Sequence, residues 1–170
     1  MKVGIDFGTT RIVVAAVDRG NYPLVSFETR DGHVRDWFPP LVAVRGEERA
    51  YGWDAWALQG QTGWTISRSL KRLLRDAGPE TRFEIGGRTF EIRQLMRELM
   101  EALRDQLRGH STLAGGPAGP VEVMLGVPAN ANSNQRFLTT EAARDAGFEV
   151  LGLLNEPSHI IAHPSESSRP

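Results

Sequence analysis

The residues best suited to chemistry lie near the start of the chain, in the segment Val-Gly-Ile-Asp-Phe-Gly-Thr-Thr at residues 3–10. A glycine such as Gly8 can adopt backbone angles closed to other residues, which lets successive N–H groups converge on an anion. Thr9 and Thr10 add hydroxyl donors. Asp6 would repel a bare phosphate, so the segment predicts a phosphate bound together with a hydrated divalent cation such as Mg²⁺. A tight hairpin in which Gly8 serves the turn and Asp6 caps it explains the same residues.

The composition is that of a globular protein large enough to bury a core. The 170 residues suffice for one ordinary domain or for one lobe of a larger protein. The formal net charge of −1 argues against a strongly electrostatic nucleic-acid or membrane partner. Because there is no cysteine, disulfides and thiolate metal sites are excluded. No basic leader or bilayer-length apolar run is evident, so a cytoplasmic location is expected.

Apolar periodicity and turn residues predict a β-rich beginning. The strand that carries Asp6 is followed by an apolar run at residues 12–17, and the two should form a hairpin. A third strand over residues 22–27 would give three antiparallel strands in succession. A further strand is expected at residues 41–44, after Pro39 and Pro40 have excluded a helix.

The middle of the chain changes to helical spacing. Two helices fit residues 53–77, the second of them beginning near Ile66. A hairpin with strands 83–85 and 89–91 comes next. The clearest helix, with a continuous apolar stripe, begins at Ile92 and is closed by Gly109. The four tryptophans are expected in core and subdomain packing rather than as a platform for stacking bases: Trp37, Trp53, Trp56 and Trp64.

A capping-box variant predicts a helix that begins after residue 132. Asn132 is the expected N-cap, and Gln135 stands three residues later. Gly147 should end the helix. Four apolar residues are expected to face inward: Phe137, Leu138, Ala142 and Ala146.

This helix joins two strand-forming runs, 121–127 and 148–153, so the three elements should form a βαβ unit with parallel strands. If the first strand lies parallel beside them, Asp6, Pro128 and Glu156 all emerge at the carboxyl edge of one sheet. Open α/β sheets bind ligands along this edge. The hypothesis is therefore a phosphate site with two carboxylates, drawn from separate parts of the chain.

Four motifs can be compared, in order and spacing, with known families. They are Val3 to Thr10, Leu70-Lys71-Arg72-Leu73-Leu74, Gly126-Val127-Pro128-Ala129 with Asn132 and Gln135-Arg136, and Asn155-Glu156-Pro157. Together they resemble the Hsp70 chaperone family of the actin-like ATPase superfamily. Sugar kinases share a loop like the first motif, whereas the Val-Pro-Ala and Asn-Glu-Pro signatures point to Hsp70-like proteins.

The resemblance implies an α/β fold with a ribonuclease-H-like, mixed five-stranded sheet, flanking helices and an inserted α+β subdomain. Residues 1–36 and 112–163 would form the core of lobe I of a nucleotide-binding domain, and residues 37–111 the inserted subdomain. The family's second phosphate loop, adenosine-binding segment and peptide-binding domain have no match in this sequence. Residues 164–170 have the composition of a disordered tail.

The resemblance also implies ATP or ADP with Mg²⁺ as ligands. Asp6 would hold water around the metal, while Gly8, Thr9 and Thr10 would bind the β- and γ-phosphates. Lys71 would approach the γ-phosphate and the attacking water, where a cation neutralises charge on the transferring group. Without the resemblance, Lys71 would be a solvated lysine on a basic helix flank.

Further roles follow from the same resemblance. Glu156 would orient the nucleophilic water or accept its proton; otherwise it is an acidic residue at a helix start. Pro128 and Arg136 resemble the proline switch and arginine relay that report nucleotide state to the substrate-binding domain. Arg11 departs from the family, in which a small or polar residue usually follows the two threonines.

The expected function is that of a truncated or fragmentary Hsp70-like ATPase domain, a Mg·ATP half-site that by itself is inactive or very weak. Peptide clients and co-chaperones are expected only for an intact relative. The alternative is a non-enzymatic module that forms a homodimer or binds a partner through the face left by the missing lobe. His159 and His163 have a spacing compatible with zinc, but a helix-end coincidence is favoured because no third ligand accompanies them.

Overall fold

The computed structural model describes residues 1–68, 70–116 and 118–156, with only the backbone of residue 156 described. It is a mixed α/β structure. In chain order the elements are β1 (Lys2–Phe7), β2 (Ile12–Ala16), β3 (Phe27–Glu28), β4 (Val34–Arg35), β5 (Val42–Arg45), β6 (Glu48–Tyr51), α1 (Gly52–Ala57), β7 (Thr65–Ser67), α2 (Leu70–Leu74), β8 (Arg82–Ile85), β9 (Arg88–Glu91), α3 (Ile92–Gly109), β10 (Val121–Pro128), α4 (Ser133–Asp145) and β11 (Phe148–Glu156). No helix in these residues is both long and apolar enough to span a bilayer.

A four-stranded sheet in the order β11-β10-β1-β2 forms the centre of the fold. β10 and β11 are parallel, which confirms the predicted βαβ unit, and β1 is parallel to β10. β2 pairs antiparallel with β1 as the predicted hairpin. Along β1, buried Val3, Ile5 and Phe7 alternate with exposed Lys2 and Asp6, because successive side chains of a strand point to opposite faces. Asp6 therefore lies on the face opposite to the core.

The prediction of a regular third strand over residues 22–27 is wrong. The segment makes two backbone hydrogen bonds to β2, from Ala16 N–H to the Pro23 carbonyl at 2.9 Å and from Val25 N–H to the Val14 carbonyl at 2.8 Å. Pro23 has no N–H with which to return a hydrogen bond to Ala16, so the ladder cannot extend. The sheet in the described chain therefore has four regular strands instead of the five predicted.

β5, β6 and β7 form a second, antiparallel sheet, and here another prediction fails. The helix expected to begin near Ile66 does not include that residue, which lies in β7 and pairs with Ala43 of β5. A β-branched side chain fits a pleated strand better than a helix. The helix itself is short, with α2 covering only Leu70–Leu74. The predicted hairpin at residues 83–91 is confirmed as β8 and β9.

α3 and α4 begin close to where the sequence predicts and pack on the sheet. Gln135 N–H donates to Asn132 Oδ1 at 2.9 Å and Asn132 N–H donates to Gln135 Oε1 at 3.3 Å, which completes the capping box. Phe137 does not face inward as predicted, since 44% of it is exposed. Leu138 and Ala142 are buried on one helix face, and Phe137 lies about 100° away from that face.

One buried cluster joins the central sheet to α3 and to the β8–β9 hairpin. Trp53 belongs to this cluster, and the centroid of its ring lies 4.8 Å from that of Trp37. Trp64 packs against a smaller cluster. Trp56 contacts Trp37 and Trp53 but is 43% exposed, so the predicted packing role describes it only in part. The division of the chain at residues 37 and 111 stays a prediction.

Candidate functional site

The turn between β1 and β2 contains the predicted phosphate-binding residues. Phe7 pairs with Ile12 at the base of the turn. A Cβ placed on Gly8 would lie 2.4 Å from the carbonyl oxygen of Arg11, closer than real side chains come. The φ angle of Gly8 is not in the left-handed region, so the expectation that its unusual backbone angles are needed is wrong. The close approach of the Arg11 carbonyl is what requires a glycine.

The register of the central sheet brings Asp6 to the same edge as two other predicted residues. Asp6 pairs with Gly126 of β10, and Pro128 lies two residues further, about 7 Å along the strand. The backbone of Glu156 pairs with Pro128, so Asn155 and Glu156 belong to β11 instead of following it. This shared edge agrees with the sequence prediction. The side chain of Glu156 lies outside the described structure.

An open cleft of about 550 Å³ lies beside this edge, and separate parts of the chain line it. Thr9 comes from the β1–β2 turn, Lys71 from α2 and Pro128 from the end of β10. Arg72 of α2 and Arg75, the residue directly after α2, also line the cleft. Because the described residues of its wall include three cationic side chains and a single carboxylate, from Asp76, the cleft is suited to an anion.

The N-terminus of α4 holds α2 against the cleft. The Asn132 side-chain amide donates to the Arg75 carbonyl at 3.0 Å. Asn132 thereby caps α4 with its oxygen and, with its nitrogen, tethers the residue that directly follows α2. The N-terminal backbone of α4 and the cations of α2 consequently face the same opening, and both favour negative charge.

Arg136 joins the edge of the sheet to the loop that precedes α4. Its Nε donates to the Ala131 carbonyl at 3.1 Å, and its Nη2 donates to Asn155 Oδ1 at 2.8 Å. The same side chain thus contacts the loop after Pro128 and the Asn-Glu-Pro segment. Both predicted relay residues lie on one connected path, although Arg136 does not line the cleft.

The comparisons with known proteins identify the family. No model of a known protein family matches the chain. The chaperone protein HscA homolog of Colwellia psychrerythraea is 32% identical over 176 residues, which cover 93% of this chain and 27% of that relative. The chaperone protein HscA of Pectobacterium atrosepticum is 32% identical over 189 residues, covering 99% of this chain and 29% of the relative. This chain is homologous to chaperones of the Hsp70 family.

A more distant Hsp70 relative gives the same result. The chaperone protein DnaK of Elusimicrobium minutum is 28% identical over 159 residues, covering 92% of this chain and 24% of the relative. The chain therefore spans about a quarter of the length of the curated Hsp70 relatives that it matches. Chaperone homology is established along nearly the whole chain, and the roles of individual residues stay predictions.

Two cleft residues were underestimated from sequence. The sequence analysis assigns no role to Arg72 and Arg75, yet both line the same cleft as Lys71. The signal that could have identified them is the spacing Lys71, Arg72 and Arg75, because residues three and four apart share a helix face. Among the described residues, no three His, Asp or Glu side chains form a group that could hold a metal ion. His159 and His163 lie outside those residues.

The clearest perturbed pKa values belong to a structural network away from the cleft. Arg49 donates to both carboxylate oxygens of Glu98, at 2.8 and 3.0 Å, and the Tyr51 hydroxyl donates at 2.5 Å. Burial raises the pKa of Glu98, but hydrogen bonds from Arg49, Tyr51 and Gln94 outweigh burial, so the pKa lies below its ordinary value. Burial and the same carboxylate raise the pKa of Tyr51. This network ties β6 to α3.

Proposed function

We propose that this chain forms lobe I of an Hsp70-type nucleotide-binding domain, with the ribonuclease-H-like fold of actin-like ATPases, and supplies one half of a Mg·ATP site. Residues 1–36 and 112–163 would form its core, and residues 37–111 the inserted subdomain. The observation that carries the proposal is that Thr9, Lys71 and Pro128, from three separate motifs, line one cationic cleft.

The residues at the cleft fit the phosphate chain of a nucleotide. The turn at Gly8 has no side chain to obstruct an approaching phosphate, and Thr9 and Thr10 are exposed. Asp6 is exposed at the sheet edge and would hold Mg²⁺ through the water molecules of its hydration shell. The bound ion would neutralise phosphate charge. Lys71 would add a positive charge on the opposite wall, where charge develops during phosphoryl transfer.

The remaining roles concern water and signalling. Glu156 would orient the nucleophilic water or accept its proton. Pro128 and Arg136 would transmit nucleotide state, since the Arg136 guanidinium connects the loop after β10 with Asn155 of β11. In an intact relative this coupling would control peptide binding and release, with co-chaperones as further partners, in the cytoplasm. This chain alone should bind nucleotide weakly and turn it over negligibly, because the second lobe supplies the adenosine site.

The test is a titration of the ¹⁵N-labelled chain with Mg·ATP and Mg·ADP, followed by NMR, which detects weak binding to an 18.8 kDa protein. The amide signals of Gly8 and Thr9 should shift, and those of the distant Glu98 network should not. Lys71→Met should weaken binding. Lys2→Met is the matched control, because Lys2 is the other lysine of the chain and lies at the opposite end of β1. Equal binding by both variants would refute the assignment of Lys71.

A second candidate function rests on exposed apolar side chains. β11 is an edge strand of the sheet, and Leu151 and Leu154 on it are 50% and 57% exposed. Phe137 on the neighbouring α4 is also exposed. About half of each side chain stays exposed in the described part of the chain, and exposed apolar surfaces commonly serve as interfaces. A homodimer or a bound partner at this face would make the chain an interaction module.

Light scattering at increasing protein concentration tests this candidate. The interaction module predicts a molar mass twice that of the monomer, reduced to the monomer value by the double substitution Leu151→Ser and Leu154→Ser. A monomer at all concentrations would exclude self-association. Val17→Ser is a suitable control. Val17 is also exposed, at 47%, but it directly follows β2, which lies at the edge of the sheet opposite to β11.

A further inference from the structure

The side chain of Arg11, in the turn between β1 and β2, rests on an aromatic ring. Its guanidinium carbon lies 5.2 Å from the centroid of the Trp37 ring, within the range of a cation–π interaction. The side chain is exposed. Within the described residues it makes no ion pair with a carboxylate. A cation held only by an aromatic ring keeps its hydrogen-bond donors available.

Arg11 is not among the described residues that line the cleft, but it lies in the turn that contributes Thr9 to the cleft wall. It follows Thr9 and Thr10 in the same turn, and its own carbonyl oxygen makes the close approach to Gly8. Two residues of backbone span at most about 7 Å, so the Arg11 Cα lies within that distance of the Thr9 Cα, and Thr9 lines the cleft. A long arginine side chain rooted there can extend to a phosphate bound in the turn.

Neighbouring residues hold the indole ring of Trp37 in place. Ile12 and Phe38 exchange two backbone hydrogen bonds of 2.8 Å, which join the end of the turn to the segment that carries Trp37. The ring of Trp37 packs against Trp53 and Trp56, with centroid distances of 4.8 and 5.4 Å. These contacts hold the ring in place beside the turn, whereas the Arg11 side chain that rests on it is exposed.

We propose that Arg11 is an additional phosphate-binding residue of this cleft, and that its guanidinium exchanges the Trp37 ring for a phosphate of a bound polyphosphate. The inference rests on the proposed function. An exposed cation–π contact is weaker than a charge-assisted hydrogen bond to a phosphate, so the exchange is favourable. Arginine is suited to the task because its planar fork can donate two parallel hydrogen bonds. Trp37 would act as a positioning residue for Arg11.

The first test measures the dissociation constants of Mg·ATP and of Mg·tripolyphosphate by NMR titration. Arg11→Gln should raise both by about tenfold, the factor expected for loss of one hydrogen bond between charged groups. Arg35→Gln is the matched control, since Arg35 is an exposed arginine that lines a pocket with the same tryptophans. It should change both constants less than twofold. The melting temperatures of the two variants should agree, which separates a binding role from a structural one.

The second test follows tryptophan fluorescence during the same titrations. Departure of the guanidinium from the ring should change the emission of the wild-type chain, and Trp37→Phe and Arg11→Gln should each abolish that change. Unchanged emission in the wild-type chain at saturation would overturn the exchange.

The outcomes separate this inference from the proposed function. If the wild-type chain binds Mg·ATP and Arg11→Gln binds it equally well, the role of Arg11 is refuted and the nucleotide site stands. If Arg11→Gln and Arg35→Gln weaken binding equally, a general electrostatic effect replaces the specific contact. If the wild-type chain binds neither probe, both proposals fail.

Discussion

Substituting Gly8 by alanine tests whether the turn depends on one close backbone approach. The added Cβ would lie 2.4 Å from the Arg11 carbonyl oxygen, whereas ordinary van der Waals contacts begin near 3.4 Å. The two atoms must therefore separate by about 1 Å. Because the carbonyl belongs to the backbone, no side-chain rotation relieves the contact. Overpacking of this kind costs about 1–3 kcal/mol.

Gly4→Ala provides the comparison within the same strand. No atom lies within 4 Å of a Cβ placed on Gly4, and its φ angle is likewise not in the left-handed region. Replacing such a glycine reduces the entropy of the unfolded chain and stabilises the protein by about 0.4–1 kcal/mol. The two substitutions should thus change the free energy of unfolding in opposite directions.

Thermal unfolding and Mg·ATP titration measure the consequences. For a protein of this size, 1 kcal/mol corresponds to about 2–4 °C, so Gly8→Ala should lower the melting temperature by about 2–12 °C. It should also weaken binding, because Thr9 and Thr10 move with the turn. If Gly8→Ala and Gly4→Ala melt together and bind alike, the Arg11 carbonyl does not determine the residue at position 8.

Three further predictions concern the scaffold. Burial raises the pKa of Glu98, but the hydrogen bonds from Arg49, Tyr51 and Gln94 together outweigh burial and leave this pKa below its ordinary 4.5, so folding favours the ionised carboxylate. Stability should then be complete above the unfolded pKa and fall as the pH drops through the lower folded pKa; Glu98→Gln should remove that part of the pH dependence of urea midpoints. Asn132→Ala should cost about 1 kcal/mol in urea unfolding, since it removes both the helix cap and the tether to α2. Phe137→Ser should change the free energy of unfolding by less than about 0.5 kcal/mol, because Phe137 is exposed.

Each of these has a control on the same helix. Glu101→Gln removes a carboxylate that lies 2.7 Å from Arg97, which is 39% exposed. Because exposed ion pairs contribute little, this variant should keep more of the pH dependence of stability than Glu98→Gln does. Ser133→Ala changes the residue beside the cap and should have little effect. Leu138→Ser should be much more destabilising than Phe137→Ser because Leu138 is buried. A reversed order in any pair would contradict the corresponding argument.

The sheet was largely predictable because its signals are local. The helix between two strand-forming runs predicted that β10 and β11 are parallel, and a parallel β1 beside them was the condition for bringing Asp6 and Pro128 to one edge. The two failures have different physical causes. Pro23 prevents a regular fifth strand by removing one N–H donor. Ile66 joins β7 because β5 offers a pairing partner, and a helical spacing of apolar residues does not reveal such a partner.

The motifs of the candidate site could be predicted from the sequence, but the full set of residues that line the cleft could not. The turn at residues 8–10 and the Asn-Glu-Pro segment were recognised as motifs. The contribution of Arg72 and Arg75 was missed because a cationic helix flank has the same pattern whether it faces solvent or a cleft. The contact between Arg11 and Trp37 joins residues 26 positions apart, and no sequence spacing indicates it.

The sequence by itself determined the βαβ unit near the site, the capping box of α4 and the relation to Hsp70 chaperones, because these depend on residue types at short and regular spacings. The tertiary structure alone decided which face of α2 lines the cleft, why position 8 must be glycine and where the Arg11 guanidinium rests. These three features depend on distances between residues that fold together from different elements or across a turn. Such distances are set by packing and backbone geometry, which a linear pattern does not contain.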